Sequence, residues 1–252
     1  MKKIIFIIIF YSTVFSQDKK VEILENLQDV SQLLSVIYYD EMQYELTFTH
    51  NEYKAKTDIQ ILDIIDEYIM KVPLKSEIHG QIAEYNVVKK YKEIIRKLFI
   101  ENVFFHNDFA GYVPSFGNPI RVGLLNNDTT IIFHGLASQN IYNTIRTTAK
   151  KRASSIISSL ILPLLDKVYD RFENTGFANI GIVVVYGTKD FTDDTGYDNE
   201  LHESVCVILP IAKIKEYNKA IITENELIKN GNIYMHSRDM SSGFKKIDIV
   251  LE

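Results

Sequence analysis

Residues 180–186 read IGIVVVY, a run of β-branched and apolar side chains with no polar break. Burial on both faces follows from such a run, so it predicts a central strand of a sheet. Residues 204–209, SVCVIL, repeat the pattern and are closed by Pro210. Upstream, IRVGLL at 120–125 and TTIIFHG at 129–135 flank Asn126, Asn127 and Asp128, a spacing that predicts a β-hairpin. Downstream, NIYMHS at 232–237 and FKKIDIVLE at 244–252 predict two further strands about a turn at 241–243. Strands clustered in this way, rather than alternating regularly with helices, predict an α+β fold with a mainly antiparallel sheet.

Helices are expected mostly ahead of that sheet. Ile23, Leu27, Val30, Leu34 and Ile37 recur at three- and four-residue intervals, which predicts an amphipathic helix over 21–39. A short alternating strand at 43–49 and a helix opened by Thr57 or Asp58 and ended by Pro73 follow. A third helix is expected over 81–102, with a lysine-rich outer face broken by Glu84 and Glu93. The longest helix is read from Gln139 to Glu173, capped by Ser138, with Ile141, Ile145, Ala149, Ala153, Ile156 and Leu160 on its inner face. Pro163 lacks an amide donor and should kink it. Thr223 and Glu226 form a capping box that opens a short helix. The expected architecture is a helical N-terminal part, then the sheet packed on a long kinked helix. It divides either into a helical region 17–104 and a sheet-bearing region 105–252, or into a single domain 17–252.

The chain has 252 residues, 46% of them hydrophobic and 24% charged, with a formal net charge of −5 and a mean hydropathy of −0.05. These averages exclude disordered, collagenous and disulfide-stapled classes, and the acidic balance argues against a nucleic-acid partner. Residues 1–16, MKKIIFIIIFYSTVFS, join two lysines to an apolar run from Ile4 to Phe15 and end on small Ser16. That is the anatomy of a secretory signal peptide, and the run is too short to span a bilayer. The expectation is a bacterial exported protein, periplasmic or secreted, with no transmembrane segment in the mature chain. Losing Lys2 and Lys3 takes the formal net charge from −5 to −7. Cys206 is the sole cysteine, so no internal disulfide can form, and its apolar surroundings predict a small buried hydrophobe.

Two stretches stand out as candidate sites. Residues 105–118, FHNDFAGYVPSFGN, combine glycine, proline and aromatics where loops are normally polar. Phe109, Tyr112 and Phe116 are therefore the expected contacts of a protein or small-molecule partner in the envelope. Residues 187–203, GTKDFTDDTGYDNELHE, bring together Asp190, Asp193, Asp194, Asp198, Glu200 and Glu203 around His202. Carboxylates so close repel one another unless solvent or a cation compensates, and Ca²⁺ accepts irregular oxygen-rich loops. Asp190, Asp193, Asp194, Asp198, Glu200 and His202 are the candidate metal ligands. Zn²⁺ is the other ion considered, should His106 and His134 converge with His202. A secreted metal-assisted hydrolase is the enzymatic alternative to a non-catalytic binding role. Arg146, Lys150, Lys151 and Arg152 form a basic cluster on the expected long helix, either a solvated flank or a contact for anionic lipid or polysaccharide. No GxSxG, HExxH, GxGxxG or GxxxxGK[ST] motif is present.

Overall fold

The computed structural model describes residues 27–41, 60, 79–99, 109–112, 120–189, 201–237 and 243–251. In chain order the elements are β1 (Gln28–Asp29), α1 (Val30–Glu41), α2 (His79–Phe99), β2 (Phe109–Tyr112), β3 (Ile120–Leu125) and β4 (Asp128–Asn143). Then come α3 (Ala149–Ile156), a π-helical turn (Ile157–Ile161), α4 (Leu162–Phe172), β5 (Asn179–Lys189) and β6 (Leu201–Pro210). The chain ends with α5 (Ile211–Asn218), α6 (Glu224–Lys229), β7 (Asn232–His236) and β8 (Lys245–Ile247). The described strands form one sheet in the order β1-β3-β4-β5-β6-β7-β8, with β2 attached to β4.

The hairpin turn forms as expected. Asn126 and Asn127 take positive φ values of 53° and 68°, which suits a tight two-residue connection between β3 and β4. IGIVVVY lies at the centre, with β5 between β4 and β6 and buried throughout that stretch. Its side chains alternate between two apolar layers. Ile180, Ile182, Val184 and Tyr186 pack with α2, α3 and α4, whereas Val183 packs with α1 through Leu33, Leu34 and Ile37. Phe172 is a hub of the larger layer, edge-on to Phe133 at 5.5 Å and to Tyr91 at 5.7 Å. Cys206 is buried beside Ile132 and Val183 in the smaller layer.

The fold class departs from expectation on three points. First, the sheet is curled and mixed: five pairings among the described strands are antiparallel, but β4 pairs with β5 in parallel, as does β1 with β3. Parallel neighbours need a crossover, and the helical run 149–172 supplies it. Second, no helix begins at Gln139. Gly135, at φ 76°, shifts the register of β4 instead of ending the strand, and β4 continues to Asn143. Ser138 therefore does not cap a helix; Thr148 does, its hydroxyl accepting from the Lys151 amide. The irregularity in the helical run is the π turn, and Pro163, having no N–H to give, sits in the first turn of α4. The long kinked helix is thus not observed. Third, a helical N-terminal part does not stand ahead of the sheet. Gln28–Asp29 is a strand of it, and α1 and α2 pack on its opposite faces. Asp29 ends β1 by accepting the Ser31 amide at 2.8 Å, which starts α1 later than periodicity alone suggests.

The leader at 1–16, the strand expected at 43–49 and, apart from Gln60, the helix expected up to Pro73 lie outside the described residues.

Candidate functional site

The second half of β4 is where the sequence signals meet. β2 pairs antiparallel with it, placing Phe109 opposite Ser138 and Tyr112 opposite Leu136. The aromatic segment is thus in part an edge strand, not wholly a loop. Phe116 lies outside the described residues. Three residues beyond Ser138 comes Ile141, 49% exposed, and then Ile145, 58% exposed. Both were expected on the buried side of a helix. Instead, β4 and the turn after it turn them out to solvent.

That turn is built by Asn143. Its side-chain oxygen accepts the amides of Ile145 at 2.9 Å and Arg146 at 3.1 Å, and the Thr147 hydroxyl donates to its carbonyl at 2.6 Å. Thr144 also donates to the Lys189 carbonyl at 3.1 Å, tying the turn to the end of β5. Ile145 is therefore exposed on a fixed backbone.

Beneath this surface lies a buried polar group. The Arg152 guanidinium makes a two-pronged contact with the Glu203 carboxylate, Nε to Oε2 at 2.9 Å and Nη2 to Oε1 at 2.6 Å. The two side chains are 3% and 0% exposed. A further Arg152 N–H donates to the Thr147 carbonyl, so the pair also anchors the turn. Tyr186 lies directly opposite Glu203 in the β5–β6 register. Burial, reinforced by the Glu203 carboxylate, holds its hydroxyl proton well above the ordinary tyrosine value of 10. Tyr142 packs edge-on against Tyr186 at 5.6 Å and donates its hydroxyl to Ser155 at 3.0 Å. The whole group joins the C-terminal ends of the parallel strands to the start of α3.

This geometry alters the reading of two charged clusters. Arg152 leaves the basic cluster for the core, and Arg146, Lys150 and Lys151 remain exposed. Glu203 and His202 belong to β6 rather than to a loop. Asp190, Asp193, Asp194, Asp198 and Glu200 lie outside the described residues, as does His106. His134 is buried two positions beyond Ile132 in β4, and His202 is half-buried opposite Gly187. Among the described residues, no three His, Cys, Asp or Glu side chains gather as a metal-binding group. Among them, too, no helix is long and apolar enough to cross a membrane.

The buried pair had no local signature, since its members are 51 residues apart in sequence. The exposed isoleucines had one: Thr147-Thr148 ahead of a polar-rich periodic run is a helix start, and it places both isoleucines outside the helix. Comparison with protein-family models, with characterised proteins and with solved structures finds no match for this chain.

Proposed function

We propose that this chain is exported to the bacterial envelope or the surrounding medium and binds a partner there without catalysing a reaction. The observation that carries the reading is the exposure of Ile141 on the strand that β2 joins and of Ile145 on the turn that follows it. Two large aliphatics held out to solvent a few residues beyond the segment that β2 pairs with are a candidate recognition surface. A rigid support favours the same reading, because a fixed patch loses less entropy on binding. The two carboxylate oxygens of Glu203 are engaged by Arg152, which also donates to the Thr147 carbonyl, so the pair braces the turn. The leader sequence supports the location.

The test is site-specific photo-crosslinking in the exporting cell. A photoreactive residue at Ile145 should give one discrete adduct from the envelope or medium fraction, on a chain whose N-terminus is Gln17. The same residue at Ile221, also exposed but remote in sequence, should give none. Combined Phe109→Ser and Tyr112→Ser should abolish the Ile145 adduct. Identical adducts at both positions, or an intact leader on exported material, would contradict the proposal. So would a metal-dependent hydrolysis lost in Asp193→Asn/Asp194→Asn, which is what the enzymatic alternative requires.

A further inference from the structure

We draw no further inference here: the strongest candidate, the cleft between α6, β7 and the C-terminal segment, carries nothing because Lys246 is bound to Asn232 on the sheet face opposite Ile233 and Ile247, and nothing in the structure shows what covers the aliphatic walls that remain.

Discussion

Arg152 and Glu203 are each excluded from water, so each depends on the other for its charge to be tolerated. Removing one partner leaves a buried uncompensated charge. Arg152→Met or Glu203→Leu alone should therefore cost about 3–5 kcal/mol, while the double replacement should recover much of that loss. Denaturant unfolding of the four proteins checks this, and additive losses would show that the pair is not coupled. Tyr186 makes a separate prediction. Its folded-state pKa is raised by burial first and by the Glu203 carboxylate second. Above about pH 10 the unfolded chain releases this proton before the native chain does, so native stability falls as pH rises through that range. Tyr186→Phe should lose less stability between pH 9 and 11 than the parent protein, measured by unfolding at each pH. An identical decline would remove Tyr186 from the account of alkaline sensitivity.

The elements differ in how plainly they are written. β5 and the capping box of α6 announce themselves, since an unbroken β-branched run and a Thr223–Glu226 pair have few other uses. The Asn126–Asn127 turn is equally direct, because asparagine tolerates the left-handed backbone that the turn needs. β4 is the opposite case. Ile141, Ile145, Ala149 and Ala153 fall four apart and read as a helix face. What overrides them is pairing with β5, which lies tens of residues away and leaves no trace in a local window. The aromatic segment was legible as unusual, but its strand character depends on the same distant pairing. At the opposite margin, Gly123 is required by close packing. A Cβ there would lie 2.4 Å from Leu33 Cδ1 and 2.7 Å from the Gln28 carbonyl oxygen. Gly123→Ala should destabilise by about 1–3 kcal/mol and loosen α1 first. Faster amide exchange in α1 than in β5 of that variant is the expected result; uniform change through the sheet would argue against it.

The molecule as a whole is a mixed sheet packed on both faces, and the crossover between the parallel neighbours β4 and β5 runs through residues 149–172. The recognition surface proposed around Ile141 and Ile145 depends on that crossover beginning late. Were β4 to end at Gly135, Ile141 and Ile145 would turn inward and β2 would lose its partner. Inter-strand proton contacts in the protein, observed by nuclear Overhauser spectroscopy, decide between these arrangements. Parallel pairing of β4 and β5 predicts backbone contacts linking Leu136 and Ala137 to Val184 and Val185, with extended chemical shifts at 136–142. Helical shifts over 139–148 with no contacts to Val184 or Val185 would contradict it, and the recognition surface would fall with the strand.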